Sequence, residues 1–173
     1  MTDSQQPTAP GAASGDAKPQ QEFGLHKFYL KDVSLEAPRS PQVFTRDWKP
    51  DTNVQLNSQA RPLDDQGMYE VELTLTVTTK SHDETAYLVE VKQGGVFLIR
   101  GFPEDQLNHL LAAYCPNTLF PFAREVVSDL VVKAGFPQML LAPVNFDMLY
   151  AQQIQQRKQE GDGGGDAAPD AAH

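Results

Sequence analysis

The sequence predicts an α+β domain: a four-stranded antiparallel sheet, arranged as a meander, with helices packed on one face. Three observations carry that prediction. Apolar and polar residues alternate with period two in several segments before Phe102, the period lengthens toward 3.6 after it, and clusters of Pro and Gly separate the segments. Strands followed by helices, rather than interleaved with them, point to an antiparallel sheet.

The first strand spans residues 26–36 (HKFYLKDVSLE). It places Tyr29, Val33 and Leu35 on one side and Asp32, Ser34 and Glu36 on the other, and Pro38 and Pro41 end it. A weaker strand over 53–60 forms around Val54 and Leu56, and RPLDDQG supplies the next turn. The clearest strand is 68–79, where Tyr69, Val71, Leu73, Leu75 and Val77 alternate with Glu70, Glu72 and threonines. After the polar connection KSHDE, alternation resumes over 85–92 with Tyr87, Val89 and Val91, so the pair reads as a hairpin. Gly94-Gly95 then marks a bulge or a close backbone approach, and the strand continues past a kink into VFLI.

Pro103, followed by Glu104 and Asp105, starts a helix carrying Leu107, Leu110, Leu111 and Tyr114, and Pro116 stops it. A second helix opens near Pro121 and runs to a C-cap at Gly135. Its residues Phe122, Val126, Val127, Leu130 and Val131 cover an arc of about 180°, against about 100° for a single buried stripe. The excess calls for a second contact, most simply another copy of the chain. Asn145 caps a peripheral helix over 146–159, with Phe146, Leu149 and Tyr150 on one face.

The folded unit is expected at residues 23–160. Residues 1–22 and 161–173 lack aromatic and branched aliphatic side chains, so nothing there offsets the entropy of ordering, and both read as disordered tails. The net charge of −9 divides as −2, −4 and −3 over the N-terminal tail, the domain and the C-terminal tail. With all three parts acidic and no basic cluster, nucleic acid and anionic membranes are poor partners. No run of about 18 apolar residues and no secretory signal pattern is present, so a cytoplasmic protein without membrane insertion is expected. The lone Cys115 agrees with a reducing compartment.

Few residues invite catalysis. His82, Asp83 and Glu84 could form a metal or acid/base cluster, the basis for reading the chain as a small enzyme, but imidazole beside carboxylates is ordinary loop composition. His109 reads as a solvated helix-surface group, and Cys115, before Pro116, as a small buried hydrophobe. The glycine pair feeds a strand rather than a helix, so it is no phosphate cradle. Asp32 and Glu36 share a strand face roughly 13 Å apart, at about 3.3 Å per residue. That is too far for paired carboxylate catalysis, and it suits either a solvated face or recognition of a basic partner. The reading is therefore a non-enzymatic protein with no cofactor and no metal.

Longer segments carry a resemblance. KDVSLEAP at 31–38, PQVFTRDWKP at 41–50, ETAYLVEVKQGGVF at 84–97, AYCPNTLFPFAREVVSDLV at 113–131 and FPQMLLAPVNFDMLY at 136–150 together resemble the SecB protein-export chaperone family over about 23–156. The resemblance implies a cytosolic homotetramer, a dimer of dimers. Such a protein holds unfolded precursor proteins in a translocation-competent state and delivers them to the SecA ATPase, using no ATP or metal of its own. It also implies that Asp32, Glu36, Leu88 and Glu90 contact the zinc-containing C-terminal segment of SecA. Parity agrees, since Asp32 and Glu36 face one way on one strand, as do Leu88 and Glu90 on another. A client-binding groove is implied too. Its candidate lining is Trp48, Val54, Leu56, Tyr69 and Val71 with Phe120, Phe122 and Phe136, each of which could equally be core. A SecB-like holdase or antitoxin-associated chaperone serving other clients is the alternative.

Overall fold

The computed structural model describes residues 20–162. The expected disordered tails lie outside the described residues, apart from their inner ends: strand β1 (Glu22–Glu36) starts at Glu22, and helix α3 (Phe146–Asp162) runs to Asp162. Between them lie β2 (Pro50–Pro62), β3 (Met68–Ser81), β4 (Glu84–Arg100), α1 (Glu104–His109) and α2 (Cys115–Lys133).

The four strands form one antiparallel sheet in the order β1-β4-β3-β2. Three of them, β2 to β4, follow the expected meander. The departure is β1, which pairs with β4 at the far edge instead of with β2. The connection over 37–49 is too long for a tight hairpin and spans three inter-strand spacings of about 4.8 Å, which gives a Greek-key arrangement. That connection has its own anchors: Val43 and Trp48 are partly buried against the core, and Phe44 packs its ring at 5.0 Å from that of Phe136.

Alternation works as predicted in β3, where Val71, Leu73, Leu75 and Val77 are fully buried beneath α2. Val91, Val89 and Phe97 of β4 lie directly opposite Leu75, Val77 and Tyr69, so they share that inner face. From α2, Leu119, Ala123, Val127 and Val131 complete the core. The β3–β4 turn is a two-residue loop in which His82 and Asp83 both take positive φ, 53° and 64°, the backbone that matches the twist of a hairpin.

In β1 the predicted sides are corrected. Register shifts between Leu25 and Lys27 and between Leu30 and Asp32 each absorb one extra residue, so Tyr29 lies opposite Gly94 on the same outer face as Asp32, which lies opposite Lys92. These two bulges therefore sit on β1, and a third shift, at Thr79/Lys80, leaves Ala86 of β4 as an extra residue beside the hairpin turn. At the glycine pair itself the β3–β4 register is unbroken, and close approach is the reason for glycine. A Cβ on Gly94 would stand 2.6 Å from the Tyr29 ring, and one on Gly95 would stand 2.7 Å from that of Phe97.

The helices also depart from expectation at proline. Pro116 does not stop the chain's helical path. A wider turn over Leu110–Tyr114, closed by the Cys115 N–H on the Leu110 carbonyl, joins α1 to α2 and rearranges the ladder where Pro116 can give no donor. Pro121 lies inside α2 rather than at its start. The C-terminus is as predicted: Gly135 takes φ 88°, its N–H meets the Val132 carbonyl, and the Phe136 N–H meets that of Val131. Asn145 caps α3 by accepting the Met148 N–H at 3.0 Å. Among the described residues, no helix is long and apolar enough to cross a membrane.

Candidate functional site

The sheet's outer face carries the first group of candidates. Glu36 lies opposite Leu88, Ser34 opposite Glu90 and Asp32 opposite Lys92, so Asp32, Glu36, Leu88 and Glu90 all share the face turned away from the helices. Asp32 and Glu36 are exposed, while Leu88 and Glu90 are half-buried. Lys92 reaches toward two of the carboxylates, at 4.0 Å from Asp32 and 3.8 Å from Glu90, and Glu90 also accepts from the Thr76 hydroxyl at 3.3 Å. The patch is acidic and open, with one aliphatic side chain, Leu88, at its Glu36 end.

Farther along the same face lies a feature that alternation does not reveal. Glu70 is buried, and its carboxylate accepts from the Tyr29 hydroxyl, from Arg61 and from Lys31 at 3.0 Å, while Lys31 also meets Glu72 at 2.7 Å. Donation by Tyr29, reinforced by Lys31 and Arg61, holds the Glu70 carboxyl down to about 2 against the opposing effect of burial. Burial and the bond to Glu70 raise the Tyr29 hydroxyl, and the two glutamates raise Lys31. Reaching Glu70 requires Tyr29 to lie across β4, which the missing side chain of Gly94 permits.

The second group, the apolar candidates, does not form one groove. Val71, Phe120 and Phe136 are core: Val71 is fully buried and the two phenylalanines are 5% exposed, because α2 and the segment after Gly135 close over the inner face. Trp48 is half-buried with its ring 5.4 Å from that of Phe136, beside Phe44 and Tyr87 at 5.0 and 4.8 Å from the same ring. Leu56 faces a separate cleft of about 560 Å³ between β2 and α3, whose wall includes Leu111, Leu149, Tyr150 and Ile154. Val54 is exposed on β2. Tyr69 is half-buried opposite Pro62 and Phe97. Phe122 stacks on Phe28 of β1 at 4.1 Å. Phe44 and Tyr87, which pack on Phe136 beside Trp48, are not among the groove candidates expected from the sequence; the signal for Phe44 is its place four residues before Trp48 in the crossover.

His82 and its neighbours are structural. The His82 Nε2–H donates to the Asp47 carbonyl at 2.8 Å, and Glu84 pairs with Arg39 and Arg46, both at 3.2 Å, so the turn ties down the crossover. Among the described residues, no group of three or more His, Cys, Asp or Glu is placed to hold a metal ion. His109 is exposed as expected, and its Nε2–H also donates to Asp147 at 2.8 Å, joining α1 to α3. Burial pushes the Cys115 thiol up to about 12, so it stays protonated and inert.

A helix-backed sheet with one open acidic face, and with apolar surface around its helices, offers surface against which another polypeptide can lie. Comparison narrows the class. Residues 16–157 match the family described as preprotein translocase subunit SecB. The protein-export protein SecB of Thioalkalivibrio sulfidiphilus is 74% identical over 172 residues, covering 99% of each chain. That of Halorhodospira halophila is 54% identical over 159 residues, covering 92% of this chain and 88% of its own. Among solved structures, a Mycobacterium tuberculosis SecB-like chaperone in complex with an antitoxin peptide shares the fold. Its TM-score is 0.59 at 14% identity, over 70% of this chain and 90% of that one. The chain belongs to the SecB family of protein-export chaperones.

Proposed function

We propose that this chaperone holds unfolded precursor proteins in the cytoplasm, keeps them competent for translocation and delivers them to the SecA ATPase, with no cofactor of its own. The observation that carries the reading is the outer-face patch. Leu88 has Glu36 across from it and Glu90 two residues on, with Asp32 farther along the same face, turned away from the helices, which suits a basic segment with an apolar contact, as expected of the zinc-containing C-terminal segment of SecA. Clients would lie on the opposite side, along the Trp48 and Phe44 cluster and the β2–α3 cleft. Aromatic contacts in the cluster, and a cleft wall that mixes aliphatic groups with Asn57, Asn108, Gln153 and Arg157, tolerate many sequences. Self-association into a dimer of dimers is supported by Leu25, Phe28, Leu30 and Val33, exposed by 38–46% on the inner side of edge strand β1.

The test separates the two surfaces. In a variant combining Asp32→Ala and Glu90→Ala, binding of a zinc-loaded SecA C-terminal peptide is expected to be lost, while capture of an unfolded precursor persists. Undiminished peptide binding would overturn the assignment of the face.

A further inference from the structure

Lys92 occupies an unusual position on the acidic face. It pairs across the sheet with Asp32 on β1 and Thr74 on β3, and Glu90 precedes it by two residues on the same side of β4. Its ammonium stands within 4.0 Å of both carboxylates, and about a third of its side chain remains exposed, as does that of Glu90. The neighbouring cations Lys31 and Arg61 are engaged by Glu70 and Glu72. Among the described residues, Lys92 is thus the cation paired with the patch, whose charge it reduces from −3 to −2 over Asp32, Glu36, Glu90 and Lys92.

We propose that Lys92 is a built-in counter-ion that competes with the partner's cations for Asp32 and Glu90, and so sets how basic a docking segment must be. This rests on the outer face being the SecA-docking surface. A partner offering one lysine gains little, because an ammonium already shares both carboxylates. A segment bearing several cations displaces it, and the flexible four-carbon stem of Lys92 lets the charge swing into solvent. The face therefore discriminates by repulsion as well as attraction.

The test is a calorimetric titration of the full chain with the zinc-loaded SecA C-terminal peptide, comparing wild type, Lys92→Gln, Lys92→Met and the Asp32→Ala, Glu90→Ala pair. Both Lys92 variants are expected to bind roughly threefold to tenfold more tightly, a gain that fades at high salt. Unchanged or weaker binding in both, with loss in the alanine pair, would overturn the role of Lys92 and leave the docking face standing. Undiminished binding in the alanine pair would overturn both.

Discussion

The Glu70 carboxylate receives donors from Tyr29 and Lys31 on β1 and from Arg61 on β2, so one side chain of β3 joins both edges of the sheet. Its carboxyl is held down to about 2 from an ordinary 4.5, which means the folded state favours the ionised form. The resulting stabilisation is complete above about 4.5 and is lost as pH falls through that value toward 2. Glu70→Gln is expected to cost about 1–2 kcal/mol at neutral pH, because a neutral amide at this buried position bonds more weakly to Tyr29, Lys31 and Arg61 than the carboxylate does. Denaturant titrations across the acid range should show the variant's stability varying less with pH than the wild type's. Parallel curves would assign the acid response to other carboxylates. In the sequence, Glu70 is one more polar position in an alternating strand, because its donors come from other strands and depend on Gly94 letting Tyr29 lie across β4.

At the scale of elements, local chemistry predicted best where a cap or turn has its own residue signature. Gly135 and Asn145 both act as read. Asn145→Ala removes the acceptor for the Met148 N–H and is expected to cost α3 about 1 kcal/mol. Hydrogen exchange of the first-turn amides should quicken by roughly fivefold, given that 1.4 kcal/mol is tenfold, and unchanged exchange would show the cap to be idle. The helix boundaries failed at proline. A wide turn before Pro116 keeps one continuous helical path, and that geometry leaves no mark in apolar periodicity. β1 failed for a related reason. Its inner residues fall at Phe23, Leu25, Phe28, Leu30, Val33 and Leu35, a spacing of alternately two and three that matches neither strand nor helix.

Over the whole molecule, the exposed apolar side of β1 meets α2 through the Phe28–Phe122 stack, and Phe122, Val126 and Leu130 of α2 are themselves only half-buried. Light scattering is expected to give a mass near four times 19.1 kDa. Phe28→Asp, which places a charge in the stack with Phe122, should shift the population to smaller assemblies; a tetramer unaffected by that change would place the interface elsewhere. The outer-face candidates came as a set from the resemblance, and parity within each strand agreed with it; that the two pairs share one face is given by the β1–β4 register. The apolar candidates were not legible as a groove, since Trp48 and Val71 look alike in sequence, and only the packing of α2 decides which is covered.

Setting aside His26 and Lys31, the residues skipped at the two register shifts, β1 becomes a plainly alternating strand from Glu22 to Glu36. An edge strand has a neighbour on one side only, so a surplus residue there can loop outward without inverting the faces beyond it. A central strand would force the same adjustment on two partners. The chain thus has a stretch where it can lengthen or shorten by one residue while both surfaces of the sheet keep their composition, and His26, exposed, marks the freer of its two slack points.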